Sequence, residues 1–97
     1  MITIPDEGLR RFADRWRVEE IAIFGSALTD DFLPASDVDV LIEFRPDAPW
    51  SLWDLVRMRA ELEELFGRRV DLVEKSALRN PYRRANILST ARVVYAA

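Results

Sequence analysis

Two short apolar runs constrain this chain more than any other feature. Residues 21–24 close on Gly25-Ser26, residues 38–44 open on Asp37-Val38-Asp39, and ten residues separate the two motifs. Apolar runs of this length bounded by turn formers read as strands. The near-continuous apolar content of residues 38–44 suggests a central position in a sheet covered on at least one face. Between the runs, Asp30, Asp31, Pro34 and Ser36 mark a loop, and residues 27–29 can form one helical turn after the glycine.

The remaining segments fit around these strands. Pro5 suits a first helical turn, with Asp6 and Glu7 facing the positive helix end. Leu9, Phe12, Ala13 and Trp16 recur at helical spacing, predicting a helix over 5–16, and the first strand covers 20–24. Pro46 and Pro49 make 45–49 a turn, and Ser51 is an N-cap with Asp54 placed to complete a capping box. Leu52, Leu55, Val56, Leu62, Leu65 and Phe66 form an apolar stripe, while Arg57/Glu61 and Arg59/Glu63 are spaced for exposed ion pairs. Gly67 ends this second helix. Residues 69–73 read as a third strand carrying Asp71, Asn80-Pro81 opens a last helix through about 89, and residues 92–95 are β-prone. Trp53 is expected to pack against the sheet, and Tyr82 and Tyr95 are expected to be packing residues. The order predicts an α/β (α+β) fold, a mixed sheet of three to four strands flanked by helices, as one domain over 1–97.

Composition narrows the chemistry. The 97 residues include no histidine and no cysteine, which excludes imidazole acid–base catalysis, disulfides and thiolate zinc sites. Any metal must be held by oxygen donors, which favours magnesium or manganese. No apolar run approaches a membrane span and no signal-peptide layout opens the chain, so a cytoplasmic protein is expected. Residues 1–74 carry 9 basic and 17 acidic side chains, a net −8; residues 75–97 carry Lys75, Arg79, Arg83, Arg84 and Arg92 with no acid, a net +5. This basic tail fits either a solvated helix face or a contact with phosphate, RNA or an acidic protein.

On a strand, residues two apart share a face, so Asp37 and Asp39 project together while Val38 and Val40 enter the other face. Two such carboxylates repel unless a cation sits between them, and Asp71 on another strand is the natural third ligand. Two metal ions held by this triad could clamp a phosphoryl displacement. A glycine after a strand lets backbone N–H groups approach a phosphate, and the Ser26 hydroxyl can donate to a phosphate oxygen. Alone, Gly-Ser is a common turn and Asp-x-Asp a common polar entry to a strand.

Together, strand, Gly25-Ser26, ten residues, Asp37-x-Asp39 and the later Val70-Asp71-Leu72-Val73 resemble the nucleotidyltransferase superfamily that includes DNA polymerase beta. More narrowly, the chain resembles the minimal nucleotidyltransferases, MNT proteins encoded beside HEPN-domain proteins, from its first helix through Tyr95. The resemblance implies that Gly25 and Ser26 hold the terminal phosphates of a nucleotide. It also implies that Asp37 and Asp39 ligate two Mg2+ ions, and that Asp71 binds one of them and helps deprotonate an attacking hydroxyl. It further implies an antitoxin that neutralises a cognate HEPN ribonuclease toxin by transferring AMP from ATP to a tyrosine hydroxyl.

One departure from the family pattern stands out. Where relatives often carry a basic side chain shortly after Gly-Ser, this chain has Ala27-Leu28-Thr29-Asp30-Asp31, and the two acids repel a nucleotide and predict weak turnover. Arg45, Arg69 or a tail arginine can compensate. Two alternatives therefore stay open: an antitoxin that inhibits by binding alone, and a nucleotidyltransferase acting on RNA or a small molecule. Assembly with itself or a partner fits the small core, and direct nucleic-acid binding is not expected.

Overall fold

A computed structural model describes residues 3–28, apart from the Ser26 side chain, and residues 37–97. Helix α1 (Asp6–Trp16) leads into β1 (Val18–Phe24) and a 3₁₀ turn (Gly25–Leu28). Strand β2 (Val38–Phe44), helix α2 (Leu52–Phe66) and strand β3 (Val70–Glu74) follow, then a 3₁₀ turn (Lys75–Ala77), helix α3 (Pro81–Thr90) and strand β4 (Arg92–Ala96). The expected α/β architecture with a mixed sheet is present: the strand order is β3-β2-β1-β4, with β2 and β3 parallel and the other pairs antiparallel. Parallel strands need a crossover, and α2 supplies it.

Local chemistry explains most boundaries. Pro5 sits one residue before α1, with Asp6 and Glu7 in the first turn, and Arg17 ends the helix in the left-handed region at φ 53°. Strand β1 therefore begins at Val18, two residues earlier than the apolar run suggests. The capping box of α2 is formed: the Ser51 Oγ accepts from the Asp54 N–H at 3.4 Å, and the Ser51 N–H donates to Asp54 Oδ2 at 3.0 Å. Gly67 closes α2 at φ +67°.

Each face of the sheet has its own core. Ile21, Ile23, Val38, Val40 and Ile42 are buried with Leu9, Phe12, Ala13 and Trp16 of α1 and with Met58 and Leu62 of α2. On the other face Ala22, Phe24 and Leu41 pack with Leu78 and with Ile87 of α3. Trp16 and Trp50 meet edge to face at 5.0 Å, and the Trp50 indole N–H donates to the Trp16 carbonyl at 2.6 Å.

Several sequence expectations for α2 and the aromatic residues are corrected. Trp53 is 77 % exposed, because the inward stripe of α2 runs through Met58 and Leu62 and leaves Leu52, Trp53 and Val56 facing out. Tyr82, in the first turn of α3, is 86 % exposed, whereas Tyr95 packs against the core as expected. Arg59 pairs with Glu63 at 3.9 Å as its spacing suggests. Glu61 instead accepts from Arg15 and from the Trp16 indole, tying α2 to α1 rather than pairing with Arg57. Among the described residues, no helix is long and apolar enough to cross a membrane.

Candidate active site

The parallel register sets Asp39 directly beside Asp71, and the antiparallel register sets Phe24, the last residue of β1, on its other flank. Asp37 precedes β2 by one residue, so the two-residue period puts its side chain on the Asp39 face. Its backbone neighbour Val38 donates to the Arg69 carbonyl at 2.9 Å, which holds the entries of β2 and β3 level. All three carboxylates predicted from the sequence thus come to one end of adjacent strands.

Gly25 completes this end. It follows Phe24 at φ +74°, and a Cβ built on it would overlap Asp39 Oδ2. Only glycine lets the backbone turn this tightly against the carboxylate. The Ser26 side chain and the acidic stretch Asp30-Asp31 lie outside the described residues. The backbone of Ser26 belongs to the 3₁₀ turn that leaves the strand.

The electrostatics single out Asp39. Burial lifts its carboxyl above the usual aspartate value, the neighbouring Asp71 and Asp37 charges lift it further, and the Arg83 guanidinium pulls it back down. Asp37 is half exposed and its Oδ1 stands 3.4 Å from Arg69 Nε, an ion pair in solvent that contributes little stability.

Hard oxygen donors in this pattern suit a divalent cation, whose charge would relieve the repulsion around Asp39. Among the described residues no three such side chains yet stand close enough together to hold one metal ion. Asp37 is instead paired with Arg69.

Sequence reasoning did not single out Arg83, which α3 brings within electrostatic reach of Asp39. Its signals were its place in the basic tail and its spacing to Ile87, four residues on and buried against the sheet. Two other tail cations are held elsewhere. Arg84 donates to the carbonyls of Lys75 and Leu78, and Lys75 stands 3.7 Å from Glu43 and 4.0 Å from Glu20. A cavity of about 460 Å³ opens between Glu43, Arg45, Trp50, Lys75 and Arg84, at the end of β2 and β3 opposite the carboxylates. Its paired charges lack the convergent carboxylates and open backbone turn of the Gly25 end, which is the better chemical site.

Comparison with known proteins adds a family frame. The family model described as nucleotidyltransferase domain matches residues 6–94. The protein adenylyltransferase MntA of Thermococcus cleftensis is 39 % identical over 71 residues, which cover 73 % of this chain and 70 % of that protein. A solved structure provisionally described as a minimal nucleotidyltransferase superposes with a TM-score of 0.73 at 30 % identity, covering 90 % of this chain and 86 % of the other. A complex of tri-AMPylated Shewanella oneidensis HEPN toxin with MNT antitoxin gives a TM-score of 0.67 at 13 % identity, over 96 % of this chain and 71 % of that one. That last likeness is one of fold.

Proposed function

Since the chain belongs to the nucleotidyltransferase domain family, we propose that it is an antitoxin that transfers AMP from ATP to a tyrosine hydroxyl of a cognate HEPN-domain toxin. The observation that carries this reading is the contact of Gly25 with Asp39, beside Asp71. A turn open to phosphate and a cluster of carboxylates share one strand end. The Thermococcus protein adenylyltransferase and the AMPylated toxin of the Shewanella complex support a protein as the acceptor of AMP.

In this reaction the hydroxyl oxygen bonds to the α-phosphorus of ATP, the α–β phosphoanhydride bond breaks, and pyrophosphate leaves. Asp71, exposed at the strand edge, takes the hydroxyl proton. The Gly25-Ser26 turn offers backbone N–H groups and a hydroxyl to the phosphates. Asp37, Asp39 and Asp71 would hold magnesium, two ions in this reading, which when bound supplies the positive charge that offsets the developing negative charge.

Incubating the purified toxin partner with this protein, ATP and magnesium should add AMP masses to the toxin, and Asp39→Ala should abolish the gain. No mass gain with both partners folded would overturn transfer. The Asp37–Arg69 pair and the unclosed carboxylates favour one second reading, inhibition by binding alone. An Asp37→Ala/Asp39→Ala double variant that still neutralises the toxin would establish it, and loss of neutralisation with binding intact would exclude it.

A further inference from the structure

The nucleotide reading leaves a question of charge. A triphosphate must approach an end of the sheet that carries three carboxylates, and the stretch after Gly25-Ser26 contributes Asp30 and Asp31 rather than a cation. Helix α3 supplies one from another direction. Asn80 caps the helix, its Oδ1 accepting from the N–H groups of Tyr82 at 3.0 Å and Arg83 at 3.1 Å, which fixes the backbone of the first turn. Ile87 anchors the helix on Phe24, the residue before Gly25, and on Leu41, which shares a strand face with Asp39. Arg83 lies one turn before Ile87 on the same stripe. Among the described residues its guanidinium has no hydrogen bond or ion pair, while the neighbouring Arg84 is held by two backbone carbonyls and Arg69 by Asp37.

We propose that Arg83 is a nucleotide-binding residue that engages the phosphate chain of the triphosphate, in place of the basic side chain absent after Gly25-Ser26. The inference rests on the nucleotidyl-transfer reading. A guanidinium fits the task because its planar fork donates two parallel hydrogen bonds to phosphate oxygens, and among the described residues exposed Arg83 has no ion pair to give up. Fixed on a capped and anchored helix, it also meets the nucleotide with little backbone entropy left to lose.

The test is calorimetric titration of the intact protein, in magnesium, with a non-hydrolysable ATP analogue and separately with AMP. Arg83→Gln should weaken binding of the ATP analogue about 10- to 100-fold and leave AMP binding within about twofold, with Arg83→Lys intermediate. Arg79→Gln, one residue outside the cap, should match the parent protein. Circular dichroism and a thermal midpoint equal to those of the parent will show that Arg83→Gln is folded. Undiminished binding of the ATP analogue by Arg83→Gln overturns the inference and leaves the nucleotide site standing. An equal loss for AMP and the analogue also overturns it, since Arg83 would then serve the nucleoside. Absence of binding by the parent protein itself overturns the underlying reading along with this one.

Discussion

One missing atom lets the Gly25 turn lie against the carboxylates. Gly25→Ala forces a left-handed residue to carry a Cβ, about 1–2 kcal/mol in backbone strain, and drives that Cβ into Asp39 Oδ2. For a chain of this size each kcal/mol lowers the thermal midpoint by about 4–8 °C. We expect a fall of at least that size, measured by calorimetry, with transfer lost because Asp39 is displaced. Asp39→Asn should do the opposite to stability. The folded-state value of this carboxyl is raised, chiefly by burial and then by Asp71 and Asp37, so ionising it at neutral pH costs stability. That cost shrinks as pH falls through the raised value and vanishes below the unfolded one. Asp39→Asn should therefore melt above the parent at neutral pH, with the gap closing toward acid, while losing all transfer. Equal melting curves at every pH would refute this account. The aspartates and Gly25 were legible because a period of two and a strand-ending glycine are properties of neighbours in sequence. Arg83 was legible only as one of several tail cations, since which of them reaches the carboxylates depends on how α3 crosses the sheet.

The elements themselves were readable wherever caps or breakers mark them. Strand β2 and both ends of α2 coincide with the expected ones, because Ser51 with Asp54 and Gly67 act within one turn. Strand β3 runs one residue beyond expectation at its end and starts one later, a shift without chemical punctuation. The outward turn of Leu52, Trp53 and Val56 was illegible because the stripe of α2 contains more apolar positions than the sheet face can cover. Removing the start signal should be measurable. Ser51→Ala costs about 1 kcal/mol of cap energy, a fall of about 4–8 °C in the midpoint. Gly67→Ala makes a useful contrast with Gly25→Ala. Nothing lies within 4 Å of a Cβ built at Gly67, so it should show the backbone cost alone and keep full transfer.

The two faces of the sheet divide the labour of the molecule. Helices α1 and α2 bury one face behind a continuous apolar layer, and the clasp of Glu61 with Arg15 and Trp16 sits on that side. Among the described residues the other face is covered by α3 and Leu78, and one end of it presents Asp37, Asp39 and Asp71 beside Gly25, which has no room for a side chain. The stable layer can thus support an end whose charges oppose one another. A ligand that neutralises those charges must then stabilise the whole chain by linkage. At a hundredfold excess over its dissociation constant, the gain is about 2.7 kcal/mol, or about 10 °C or more in the midpoint. We expect this rise when magnesium and a non-hydrolysable ATP analogue are added together. Chelating the metal should reverse it, and the Asp37→Ala/Asp39→Ala variant should not show it. If the variant gains as much as the parent, nucleotide binds elsewhere and the carboxylate end is not the site. If neither gains, the chain acts on its partner without nucleotide, and the cost of keeping three carboxylates together has another cause.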